Sequence, residues 1–77
     1  MKVAKILGGG CAKCELLAKE TKIAAENLGI EIEIIKIEDF NLIAGYGVMV
    51  TPALVVDEDL KFSGKVLKAK DIEKYFI

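Results

Sequence analysis

The stretch from Lys2 to Ile37 does most to limit what this chain can become. Lys2 to Leu7 reads as a short buried strand, and Gly8-Gly9-Gly10 ends it in a loop. From Cys11 to Leu28 the pattern turns helical, with Cys14, Leu17, Thr21, Ala24 and Leu28 recurring at spacings of three and four. That stripe suits one face of a helix laid against a sheet, while Lys13, Lys19, Glu20, Lys22 and Glu26 carry most of the charge away from it. Gly29 stands where a left-handed residue stops a helix. Glu31 to Ile37 is a second strand that alternates at first, with Glu31 and Glu33 on one face, where charge protects a sheet edge from foreign pairing. Two strands joined by a helix of this length predict parallel pairing through a right-handed crossover.

The rest of the chain supplies a hairpin and two more helices. Asp39 is placed to cap a short helix from Phe40 to about Gly45. Pro52 to Val56 reads as a third strand, Asp57-Glu58-Asp59 as a turn and Leu60 to Phe62 as a fourth strand, closed by Ser63-Gly64. Lys68 to Phe76 makes a last helix with Ile72 and Phe76 on one face, close to Ala69 and Tyr75. The order is βαβαββα, an α/β arrangement with a four-stranded mixed sheet and helices on both faces. With 77 residues the chain is expected to form one domain, residues 1–77. A domain this small buries only about 60% of its unfolded surface, so every apolar segment must be used.

Charge removes several classes of partner. Eleven basic and 12 acidic residues are interleaved and leave a net charge of −1, so no basic stripe awaits nucleic acid or an anionic membrane. Met1 to Gly10 carries two lysines and no apolar stretch of signal-peptide length. The longest apolar run, Val48 to Val56, is interrupted by Thr51 and Pro52 and is too short to span a bilayer. The expected location is the cytosol, where thiols are kept reduced and a close cysteine pair reads as redox-active or metal-binding.

Cys11-Ala12-Lys13-Cys14 carries the chemistry. Two cysteines three apart at a helix start lie on neighbouring turns of one face, within reach of the roughly 4.4–6.8 Å Cα separation that a disulfide needs. The first N–H groups of the helix lack intrahelical partners and favour an anion, so Cys11 is expected to hold a usable thiolate, with Lys13 adding positive charge. Cys14 belongs to the apolar stripe and should be the less exposed sulfur. Cys11 is therefore the candidate attacking thiol and Cys14 the resolving one, with the Cys11–Cys14 disulfide as the redox element and no separate cofactor. Gly10 and its neighbours leave the approach to Cys11 without bulk. A structural zinc site is short of ligands, since the chain has no histidine and no third cysteine and would need a dimer. A two-coordinate soft metal such as copper needs only this motif, so a metal carrier stands as the alternative, together with a redox sensor that does not turn over.

The segment Tyr46-Gly47-Val48-Met49-Val50-Thr51-Pro52-Ala53-Leu54 resembles the stretch that leads into the cis-proline strand of thioredoxins. Phe62-Ser63-Gly64 and Asp71 to Phe76 are similar to that family's closing strand, its glycine and its last helix. With the CxxC, the resemblance covers nearly the whole chain in order and is nearest to the compact thioredoxin- and glutaredoxin-like proteins of archaea and bacteria. It implies a thiol–disulfide oxidoreductase in which Pro52 packs beside the cysteines and helps keep metals off them, while Thr51 offers its backbone to an extended substrate. It also implies disulfide-containing protein substrates and a thioredoxin-reductase-type electron donor, with the chain acting as a monomer. Three positions depart from the pattern: Gly10 replaces the tryptophan before the motif, Lys5 replaces a buried acidic residue, and Ala12-Lys13 replaces Gly-Pro. The glutathione-binding signature is missing too, since Ser63-Gly64-Lys65-Val66 stands in its place.

Overall fold

The computed structural model describes residues 2–8 and 12–76. The elements are β1 (Lys2–Leu7), α1 (Ala12–Leu28), β2 (Ile32–Ile37), α2 (Phe40–Gly45), β3 (Ala53–Val56), β4 (Asp59–Ser63) and α3 (Ala69–Ile72), which runs on into a 3-10 turn, Glu73–Phe76. The four strands form one sheet in the order β2-β1-β3-β4. β1 pairs with β2 in parallel and with β3 antiparallel, and β3 and β4 form the antiparallel hairpin. This is the expected α/β arrangement with a mixed sheet.

Alternation along β1 and β3 sorts the core into two layers. Ala4, Ile6, Leu54 and Val56 face one way, toward Leu17, Ala18 and Ala24 of α1 and toward Ala69, Ile72 and Phe76. Leu7, Ala53 and Val55 face the other way and pack with Ile43 of α2 and Val48. The α1 stripe is wider than the expected one. Ala18 and Ala25 join Cys14, Leu17, Thr21 and Ala24, while Leu28, at the end of the stripe, is half-buried. Thr21 is fully buried because its hydroxyl donates to the Leu17 carbonyl at 2.7 Å, which removes the penalty for hiding it.

Helix ends follow local chemistry. Gly29 has φ +69°, and the amides of Gly29 and Ile30 donate to the carbonyls of Glu26 and Ala25, the paired bonds of a Schellman stop. The Asp39 carboxylate accepts from the Asn41 amide at 2.7 Å, as a cap should. The last helix differs from expectation. It begins at Ala69 and tightens to 3-10 geometry after one α-turn. Lys68 at its N-cap makes no side-chain cap bond, and Glu20 of α1 reaches across instead to accept from the Ala69 amide at 2.8 Å. Glu20 is thus a tie between helices rather than part of the solvated face. At the other hairpin end, Asp57 and Glu58 alone form the turn, because Asp59 already belongs to β4.

Candidate active site

Cys14 sits in the first turn of α1, and only 4% of it is exposed. Its sulfur lies over the end of β1, against Gly8. A Cβ built on Gly8 would overlap that sulfur and would stand 3.5 Å from the Thr51 Cβ and 3.7 Å from the Cys14 Cβ. Gly8, Cys14 and Thr51 therefore meet at one point, although 43 residues separate the first from the last. The meeting follows from topology: β1 and β3 are antiparallel neighbours with Leu7 opposite Ala53, so the exit of β1 and the entrance of β3 share one sheet end.

Pro52 stands at that entrance. β3 is an inner strand flanked by β1 and β4, and the proline lies just outside its first residue, where the ladder does not need an N–H. The Thr51–Pro52 peptide is cis, Pro52 is buried, and its carbonyl accepts from the Gly64 amide at 2.8 Å. Gly64 has φ +76°, and an added Cβ there would come within 3.0 Å of Val50 Cγ1. The loops before β3 and after β4 thus close on each other beside Cys14. Thr51 is exposed.

Part of the exposed surface on neighbouring residues is apolar. Met49 is 94% exposed and Val50 58%. Leu16, two residues beyond Cys14, helps line a groove of about 440 Å³ with Glu20, Val66, Leu67 and Lys68. Lys13 is exposed on α1 beside Cys14 in sequence. Cys11 and Gly10, the other two residues singled out from the sequence, lie outside the described residues, so their roles rest on the sequence argument. Among the described residues, no three His, Cys, Asp or Glu side chains gather as metal ligands.

Lys5 does not take the place of the acidic residue it replaces. Its ammonium is bonded to Glu58 and, at 2.6 Å, to the Tyr46 hydroxyl, and it lies 5.3 Å from the Tyr46 ring centroid. Glu58 holds the lysine pKa above its ordinary value, and the same bond holds the Glu58 carboxyl below the usual range. The sequence reading did not find this cluster; the alternation of β1, which sets Lys5 on the α2 face, was the available signal. Gly8 was also missed as a contact. A glycine run signals a loop, and only the path of the chain shows which glycine meets sulfur.

Comparison with known proteins agrees with this architecture. A model described as a thioredoxin domain matches residues 1–77. The chain is 40% identical over 74 residues to a thioredoxin of Methanocaldococcus jannaschii, covering 96% of this chain and 85% of that protein. It is 39% identical over 70 residues to a thioredoxin of Methanothermobacter thermautotrophicus, covering 91% of each. Among solved structures, thioredoxin-2, titled a component of malaria parasite protein secretion machinery, superimposes with a TM-score of 0.72 at 12% identity, over 99% of this chain and 81% of that one. That likeness is one of fold. No helix among the described residues is long and apolar enough to cross a membrane. On the family match and the two archaeal relatives together, the chain belongs to the thioredoxin family and has a thioredoxin-like redox function.

Proposed function

We propose that this chain reduces disulfides in proteins through a Cys11/Cys14 dithiol–disulfide cycle. The Cys11 thiolate attacks one sulfur of the substrate disulfide, forming a mixed disulfide and releasing the first substrate thiolate. The Cys14 thiolate then attacks the Cys11 sulfur, releases the second substrate thiolate and leaves a Cys11–Cys14 disulfide. Two electrons pass to the substrate, and a thioredoxin-reductase-type donor returns them. No cofactor beyond the cysteine pair is required.

The observation that carries this reading is the seat of Cys14. Its sulfur is buried at the start of a helix, against Gly8 and near Thr51, at the sheet end where Pro52 opens β3. A resolving thiol needs that shielding, because it should meet a partner sulfur delivered on its neighbour and little else. Exposed Thr51 and the exposed apolar side chains of Met49 and Val50 suit an extended substrate segment docking across the cysteines. Gly10 clears the approach, and Lys13 adds positive charge to the turn that holds the attacking thiolate. The chain acts in the cytosol as a monomer.

Reduction of insulin coupled to a dithiol donor tests the proposal. The wild-type chain should turn over repeatedly, and Cys11→Ser should abolish turnover. Cysteine oxidation that alters partner binding without insulin turnover would mark a sensor instead, and stoichiometric copper binding at the cysteine pair without insulin turnover would mark a carrier.

A further inference from the structure

We infer that Gly8 is a positioning residue whose missing side chain forms the seat of the Cys14 sulfur and so sets the rate of the resolving step. This rests on the dithiol cycle proposed above. Among the glycines of the described residues, Gly8 is distinguished by its surroundings. A Cβ at Gly29, Gly45 or Gly47 would meet nothing within 4 Å, whereas one at Gly8 would occupy the space of the sulfur. The seat has little freedom to adjust. The Gly8 amide donates to the Ile37 carbonyl at 2.9 Å, which fixes its backbone to the end of β2. Thr51 closes a second side, and Cys14 is anchored by a helix whose buried face includes Leu17 and Ala18. Gly8 also holds φ +155°, a conformation that side chains rarely adopt, so a methyl group there must shift the sulfur or the backbone beneath it, and either shift moves the sulfur relative to its seat.

The consequence is specific to one step. Attack by Cys11 on a substrate does not use the Cys14 sulfur, so it should be unaffected. Resolution requires that sulfur in line with the mixed disulfide, and misplacement on the scale of an ångström slows such steps roughly tenfold or more.

Stopped-flow reaction of the fully reduced protein with dithiodipyridine separates the two steps. Attack by Cys11 releases one thiopyridone and leaves the other joined to Cys11; attack by Cys14 on the Cys11 sulfur releases the second and forms the ring disulfide. In Gly8→Ala the first release should keep the wild-type rate and the second should slow by roughly tenfold or more. Gly29→Ala (a positive-φ position in open space) and Gly45→Ala (open space without positive φ) should leave both releases unchanged. An unchanged second release in Gly8→Ala, or equal slowing in Gly29→Ala, would overturn the role of Gly8. A wild-type protein that passes through no mixed disulfide would overturn the dithiol cycle and Gly8's role with it. Thermal unfolding gives an independent check if Gly8→Ala folds poorly. The substitution should lower Tm less when Cys14 is already alanine, because the overlapping atom is gone; an equal drop in both backgrounds would contradict the seat.

Discussion

The two ends of the β1–β3 pair are built on opposite principles. At one end, where Leu7 faces Ala53, contact is made by shape: a bare glycine, a buried sulfur, a buried proline and a threonine. At the other, where Ala4 faces Val56, contact is made by charge. Asp57 and Glu58 both take positive φ, 49° and 70°, in a two-residue turn that ordinarily favours glycine or asparagine. Each side chain is held by β1. The Asp57 carboxylate accepts from the Val3 amide at 3.0 Å and pairs with Lys2 at 3.5 Å, and Glu58 bonds to Lys5, whose ammonium also bonds to Tyr46. Around the Cys14 sulfur the contacts are made by Gly8 and Thr51 and carry no charge, whereas the hairpin turn is held to β1 by ion pairs. Acid and salt should therefore weaken the latch more than the packing around the Cys14 sulfur, while the thiols keep their own pH dependence.

The largest expected effect on stability lies in the shape-packed layer. Leu7 is fully buried with Ile43, Val48, Ala53 and Val55, and Leu7→Ala should cost about 2–5 kcal/mol in denaturant unfolding. If removing Glu58 destabilised the chain more than Leu7→Ala does, the contrast between the two ends would be reversed.

Next comes the acid response of the latch. The bond from the Val3 amide lowers the Asp57 pKa, and the bond from Lys5 lowers that of Glu58. A carboxyl with a folded pKa below its unfolded value adds stability that is present above the unfolded value, near 4, and is lost as pH falls through the folded one. Lys5 is raised, so its contribution is present below the usual lysine range and lost above it. Unfolding measured from pH ~7 down to ~2 should show Asp57→Asn with Glu58→Gln losing less stability on acidification than wild type. The alkylation rates of the cysteines in that variant should match wild type at neutral pH. A change in those rates would show that latch and seat are coupled.

The smallest effect is at α2, which covers the same face as both ends. Asp39→Ala should cost roughly 0.5–2 kcal/mol through loss of the Asn41 amide bond, with no change in thiol reactivity.

The same contrast explains what could be read from the sequence. Periodicity gives the strands, α1 and the Asp39 cap, because each depends on residues within a few positions. Gly29 and the CxxC are legible for the same reason. The Gly8–Thr51 approach that closes the seat and the Lys5–Glu58 latch join residues 43 and 53 positions apart, so no local pattern encodes them. Glu20 shows the limit well. On a helical wheel it is one more solvated charge, and only the arrival of α3 gives its carboxylate the Ala69 amide. Thr51 and Pro52 are intermediate: the dipeptide is visible, but the place of Thr51 near Gly8 and Cys14 depends on β3 lying next to β1.

The division of labour between the two thiols is the central claim, and trapping measures it most directly. Reduced Cys14→Ser and Cys11→Ser are each mixed with a disulfide-containing protein, quenched in acid and examined by intact-mass spectrometry. Cys14→Ser should accumulate a mixed disulfide through Cys11, because the attacking thiol remains and the resolving one is gone. Cys11→Ser should accumulate little, since the Cys14 sulfur is buried against Gly8. Equal trapping by both variants, or more by Cys11→Ser, would contradict the account.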